Sequence, residues 1–178
     1  MHAPCSLLVL DLDGTLLDAR GRVSSRNVAA VAAAEAAGVP VVVASGRSWH
    51  ESRAALGQLG YRRPMVAAGG SVLSDGATGR SLVRFGMSMS LVHDVVGSLL
   101  RHRHPVLLLK DAPSERDHYI VVGDLPLDPA SEWWFKTFGV RYQRVTNVLD
   151  DPHPEDTVRV GVVATGSMLS AIAEEVRG

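Results

Sequence analysis

Cysteine is nearly absent from this chain. The one thiol, Cys5, rules out an intramolecular disulfide and a zinc site built on cysteines. It directly precedes the first apolar run and is expected to be a small buried residue rather than a reactive thiol. Charge of one sign is also lacking: 18 Lys and Arg stand against 19 Asp and Glu, for a formal net charge of −1. The basic excess of a nucleic-acid footprint is missing, so no nucleic-acid partner is expected. Long apolar runs are missing too. Leu7–Leu10 is too short for a signal peptide or a membrane span, so a cytoplasmic protein without a membrane partner is expected. There is no internal repeat and no low-complexity segment, and the Ala-rich stretch 29–37 suits a helix. What remains is a globular composition, 46% hydrophobic and 21% charged over 178 residues, enough for one good core or two small ones.

The densest signal comes early. Leu7-Leu8-Val9-Leu10 runs straight into Asp11-Leu12-Asp13-Gly14-Thr15-Leu16-Leu17-Asp18. The apolar run reads as a fully buried strand of a parallel sheet. Asp11 and Asp13 then emerge at its carboxyl end, where ligands bind in open α/β sheets. Side chains alternate along extended chain, so the two carboxylates project from the same side. Two adjacent like charges repel unless something compensates them. A bound Mg²⁺ would do so, because hard cations take carboxylate and carbonyl oxygens.

A second signal follows one unit later. Ser24 or Ser25 caps a helix running to about Ala37, with Gly38 as its stop. Val39–Ala44 reads as a second buried strand, which makes a βαβ unit and a parallel sheet. That strand ends in Ser45-Gly46-Arg47-Ser48, ahead of a helix from about Trp49 to Leu59 that Gly60 terminates. Backbone amides at a helix start favour anions, and the fork of Arg47 matches a phosphate or a carboxylate.

Together, the DxDGT stretch and the SGR stretch resemble the first two motifs of the haloacid dehalogenase-like phosphohydrolases, the second in the form of the Cof-type branch. The resemblance implies a Mg²⁺-dependent phosphatase acting on small phosphorylated metabolites such as sugar phosphates. Asp11 would be the nucleophile that forms an aspartyl-phosphate, and Asp13 the general acid and base. Mg²⁺ would be held by the Asp11 carboxylate and the Asp13 backbone carbonyl. Thr15, Ser45, Gly46 and Arg47 would contact the phosphate or the substrate. Carboxylate nucleophiles split one hard displacement into two easier ones, and the metal screens the phosphate charge.

The rest of the chain fits the same family more loosely. Met65–Ala68 reads as a third strand. Gly69 stands where Cof-type relatives usually have Asn, which removes a side-chain donor. Ser71–Ser74 and Leu82–Arg84 read as a hairpin. Beyond Met87, a Ser-capped helix to about His102, strands Val106–Lys110 and His118–Val122, a helix Pro129–Phe138, a strand Val158–Ala164 and a helix Met168–Val176 resemble the family's α/β cap. The expected architecture is therefore a Rossmann-like parallel α/β core over 1–86, with an inserted α/β cap over 87–178 and the C-terminal part of the core missing. An incomplete sheet would expose an edge, through which a homodimer could form.

The family's Lys motif and GDxxxD motif have one formal match, Lys110 with Gly123-Asp124-Leu125-Pro126-Leu127-Asp128. Eight residues between Lys110 and Tyr119 are too few for a parallel crossover, so a hairpin within the cap is expected instead. A truncated, non-catalytic relative is the alternative function. The smaller signals read as structural. His102-Arg103-His104 follow a helix C-terminus. Arg20 and Arg22 lie in a loop. Residues 150–156 read as a solvated loop rather than a metal site. One of Trp133 and Trp134 is expected at the surface, since adjacent helical positions cannot both face inward.

Overall fold

Short apolar strands and helices with sequence-encoded ends build the first half of the chain. The computed structural model describes residues 5–112, 116–164, 170 and 172–174. They divide into two units, Met1–Arg84 and Phe85–Gly178.

In the N-terminal unit, β1 (Leu8–Leu10) pairs in parallel with β2 (Val41–Val43), with Leu10 opposite Val43. A parallel bridge between Ala44 and Val66 carries the pairing to β3 (Met65–Ala67), which continues antiparallel into β4 (Val72–Ser74) and β5 (Ser81–Arg84). The βαβ unit closes through α1 (Ser25–Ala36), whose N-cap Ser24 accepts the Asn27 amide. Helix α2 (Trp49–Leu59) starts with a capping box between Ser48 and Glu51 and stops at Gly60, which takes φ +65°. Val41, Val43, Met65 and Ala67 are at most 1% exposed.

β1 corrects the expectation of a fully buried strand. Val9 is 55% and Leu7 49% exposed. A parallel strand is buried when it has neighbours on both sides and covered faces. Among the described residues β1 pairs with β2 alone. The burial falls instead on Leu12, Leu16 and Leu17, just after the strand. Cys5 is likewise exposed rather than buried.

The β4–β5 turn is tied by Asp75, whose Oδ1 accepts the amides of Ala77 and Thr78 and the Thr78 hydroxyl. The Thr78 hydroxyl, followed by its amide, holds the Asp75 carboxyl below the usual carboxylate range. The indole of Trp49 donates to the Gly76 carbonyl at 3.0 Å and lies against Gly79, where a Cβ would come within 2.3 Å of the ring.

Among its described residues the C-terminal unit holds one four-stranded sheet, in the order Tyr142–Val145, Tyr119–Val122, Val106–Lys110, Thr157–Gly161. Helix α3 (Met89–Leu100) precedes β6 (Val106–Lys110) and β7 (Tyr119–Val122), and α4 (Pro129–Phe138) precedes β8 (Tyr142–Val145) and β9 (Thr157–Gly161). Val92, Val96 and Leu99 of α3 pack on Val106, Leu108, Ile120, Val122 and Val145. β6 and β7 are antiparallel, as the short connection requires. β8 was not foreseen: Tyr142, Gln143 and Arg144 are exposed, and only Val145 of this edge strand is buried. Trp133 is 61% exposed, while Trp134 packs on Phe138 with ring centroids 4.4 Å apart. Most of the expected helix Met168–Val176 lies outside the described residues. No helix among those described is long and apolar enough to cross a membrane.

The loop over 150–156 also departs from expectation. Asp151 is buried because Lys110 ends β6 inside the unit and needs acceptors, and Asp156 is buried beside Arg116. The Lys110 ammonium donates to the Asp151 carboxylate, to the Thr157 hydroxyl at 2.7 Å and to the His153 carbonyl at 3.1 Å. Burial pushes this ammonium below the ordinary lysine range, against the pull of Asp151. The unfolded chain thus holds the proton more tightly than the folded one. The Lys110 contribution to stability therefore improves as pH climbs through its folded pKa toward the ordinary lysine value.

Asp151→Ala leaves a buried charge unpaired and should cost about 3–5 kcal/mol in urea unfolding, whereas Lys110→Met with Asp151→Leu should stay near the parent stability. The alkaline gain in stability assigned to Lys110 should vanish in Lys110→Met. Gly79→Ala should also destabilise the hairpin, through its positive φ and the Trp49 ring.

Candidate active site

The site is built where β1 and β2 end. Leu10 lies opposite Val43 and the Ala44 amide donates to the Leu10 carbonyl, so residues 11–13 and 45–47 leave neighbouring strands at the same end. After β1 the chain wraps on Leu12: its carbonyl accepts the amides of Thr15, Leu16 and Leu17 at 3.3, 3.1 and 2.9 Å. Gly14 takes φ +74°, which L side chains avoid. Leu12 is fully buried by this turn, while Asp11 and Asp13 stay exposed on either side of it.

Their surroundings differ. The Asp11 carboxylate accepts no hydrogen bond from any described residue. Asp13 is gripped by Arg47, whose Nε donates to Oδ2 at 2.8 Å and whose Nη2 donates to Oδ1 at 2.5 Å. The Arg47 side chain is 9% exposed and that of Asp13 54%. Arg47 Nη1 also reaches the Glu51 carbonyl at 3.5 Å.

Ser45 is buried, with three of its backbone and side-chain atoms engaged. Its amide donates to the Val66 carbonyl, its carbonyl accepts the Gly69 amide at 3.1 Å, and its Oγ accepts the Arg47 amide at 3.2 Å. The hydroxyl proton finds no acceptor among the described residues and is left to donate. Gly46 is exposed between buried Ser45 and Arg47. Thr15 is exposed, and its hydroxyl has no partner among the described residues. Gly69 is exposed at φ +69°, and a Cβ there would meet nothing within 4 Å.

The helix start behind Ser45 is already occupied by an anion. The Glu51 carboxylate, 2% exposed as a residue, accepts the Ser48 amide and hydroxyl at 2.7 and 2.8 Å. The S-x-x-E spacing of a capping box was its available sequence signal. Asn27 was missed as well. Its Nδ2 donates to the Leu16 carbonyl at 2.9 Å and pins the turn after Asp13 to α1. Asp18 closes the following loop. The Arg22 amide foremost, and the Arg20 amide, hold its carboxyl below the usual range, and the Arg22 guanidinium joins at 3.3 Å.

The other sequence candidates lie in the C-terminal unit and are engaged there. Lys110 is locked on Asp151. Asp124 accepts the Thr146 hydroxyl at 3.0 Å, and Asp128 caps α4 through the Ala130 amide. His153, Glu155 and Asp156 bring ligand atoms within 4.8 Å of one another. Arg116 lies 3.4 Å from Asp156 and 3.5 Å from the His153 ring, so a cation already sits against that cluster.

Asp11 and Ser45 thus follow two paired strands at the same end, the carboxylate without a hydrogen bond among the described residues and the hydroxyl with a proton to donate. Phosphatase YwpJ of Bacillus subtilis (strain 168) is 36% identical over 69 residues, which is 39% of this chain and 24% of that protein. A haloacid dehalogenase-like hydrolase from B. subtilis superposes on 97% of this chain with a TM-score of 0.74 and 18% identity. One from Bacteroides thetaiotaomicron does so over 97% with a TM-score of 0.69 and 20% identity. The chain spans 66% and 63% of the length of these two solved relatives. The profile of the haloacid dehalogenase-like hydrolases matches residues 8–123, more than half of the sequence, and the chain belongs to that family.

Proposed function

We propose that this protein is a Mg²⁺-dependent phosphomonoester hydrolase that acts on small phosphorylated metabolites through an aspartyl-phosphate. One observation carries the reading: at the ends of two paired parallel strands, the Asp11 carboxylate is unpartnered among the described residues while Asp13 is held by Arg47.

In this reading an Asp11 oxygen attacks phosphorus, and the bond from phosphorus to the ester oxygen breaks. Asp13 gives its proton to that leaving oxygen. It then takes a proton from water as the water oxygen attacks phosphorus, which releases orthophosphate and restores Asp11. The Ser45 hydroxyl donates to a phosphoryl oxygen. The exposed Asp11 carboxylate and the Asp13 backbone carbonyl are the hard oxygen donors that suit Mg²⁺, which supplies charge neutralisation for the meeting of two anions when bound. The likeness to Phosphatase YwpJ supports the reaction class. So does a fold likeness, at a TM-score of 0.72 and 15% identity, to a sugar phosphatase of subclass IIB.

A non-catalytic relative is the second reading. It is favoured by one observation: Lys110, Asp124 and Asp128 all have partners within the C-terminal unit.

The assay is Mg²⁺-dependent release of phosphate from a generic aryl phosphate. Turnover by the parent chain that falls to background in Asp11→Asn supports the first reading. Mg²⁺-dependent turnover that survives in Asp11→Asn removes Asp11 as nucleophile, and a folded parent chain without turnover favours the second reading. If the first holds, Ser45→Ala should lower kcat by about 10²–10³-fold, the effect of one lost oxyanion donor.

A further inference from the structure

We propose that Arg47 is a positioning residue for Asp13 and not a ligand of the phosphoryl group. A strand-end Arg beside a phosphate site would ordinarily be assigned to the substrate. Here both forks of the guanidinium face one carboxylate, Nε to Oδ2 and Nη2 to Oδ1. The third nitrogen is directed at the Glu51 carbonyl. The backbone of the same residue is anchored at both ends: its amide donates to Ser45 Oγ, and its carbonyl accepts the Ala68 amide at 2.8 Å.

The asymmetry of burial decides which partner holds the other. The Arg47 side chain is 9% exposed and set against α2, whereas the Asp13 side chain is 54% exposed and has no other hydrogen bond among the described residues. An exposed Asp on a turn samples several rotamers. A planar fork that bonds both its oxygens leaves it one. The grip does not disarm the carboxylate. Two oxygens offer about four lone-pair sites, and the fork takes two. The remaining lone pairs face solvent, where a reacting oxygen would arrive. The importance of this for turnover rests on the phosphatase reading; the pairing itself does not.

The test follows the Arg47 side chain directly. In a sample with ¹⁵N-labelled arginine, the Nε–H resonance of Arg47 is the one lost in Arg47→Lys. Asp13→Asn should shift it, and saturating inorganic phosphate with Mg²⁺ should not. The Kd for inorganic phosphate should stay within about two-fold in Arg47→Lys, since no phosphate ligand is removed. With substrates, Arg47→Lys should lower kcat at unchanged KM, and more for an alkyl phosphate than for an aryl phosphate, whose leaving oxygen needs less help from an acid. A resonance indifferent to Asp13→Asn overturns the proposal. So does one moved by phosphate, together with a Kd weakened by about tenfold or more, the loss expected for one charge-assisted bond. If neither protein binds phosphate or turns over, the phosphatase reading is what fails. The response of the resonance to Asp13→Asn then decides the pairing alone.

Discussion

The parallel register of β1 on β2 is the constraint from which the site follows. With Leu10 opposite Val43, the residues after each strand leave the sheet side by side. Strand side chains have a period of two, so a slip of one residue would put Leu12 where the carboxylates stand and bury Asp11 and Asp13. The pattern Asp-Leu-Asp resists that slip energetically. Leu12 is fully buried, and its carbonyl collects three amides of the turn. Moving it outward would lose the burial and the turn together.

Around this register the site divides charge between its two carboxylates. Asp13 has a cation at hydrogen-bond distance and Asp11 has none among the described residues. Neighbouring groups of one chemical type are thereby made unequal, which is how paired carboxylates come to take different roles. Glu51 adds a third carboxylate, buried and bonded to the start of α2. The positive end of that helix is thus balanced from within the chain. In the proposed phosphatase reading, phosphate affinity there falls to the Ser45 hydroxyl and to groups outside the capping box.

Sequence made the elements legible where an end signal coincided with an apolar pattern. Ser48 and Gly60 bracket α2, Pro129 and Gly139 bracket α4, and the eight residues after Lys110 dictate a hairpin. Candidate residues of the site were readable because Asp11, Asp13 and Ser45 follow apolar strands directly. The partner of Arg47 was not, because the pairing joins residues 34 apart and depends on which way one fork turns. β8 escaped because an edge strand with Tyr142, Gln143 and Arg144 exposed has the composition of a loop. The exposure of Val9 escaped for a different reason. Burial of a strand is a property of its neighbours, and no local pattern reports whether a neighbour is there. Asp151 shows the same limit, since its burial is set by Lys110, 41 residues away.

Lys110 has a further consequence, for the reactivity of the chain toward reagents. The sequence holds only two lysines, Lys110 and Lys136. Lys136 is exposed on α4, while the Lys110 amine is enclosed and has its protons directed at three oxygens. Apart from the α-amino group, a lysine-directed crosslinker therefore meets a single open amine side chain on the folded protein. A second becomes available only when β6 separates from the loop that carries Asp151. The ratio of modification at the two lysines, read by mass, is thus a built-in gauge of how often the C-terminal unit opens.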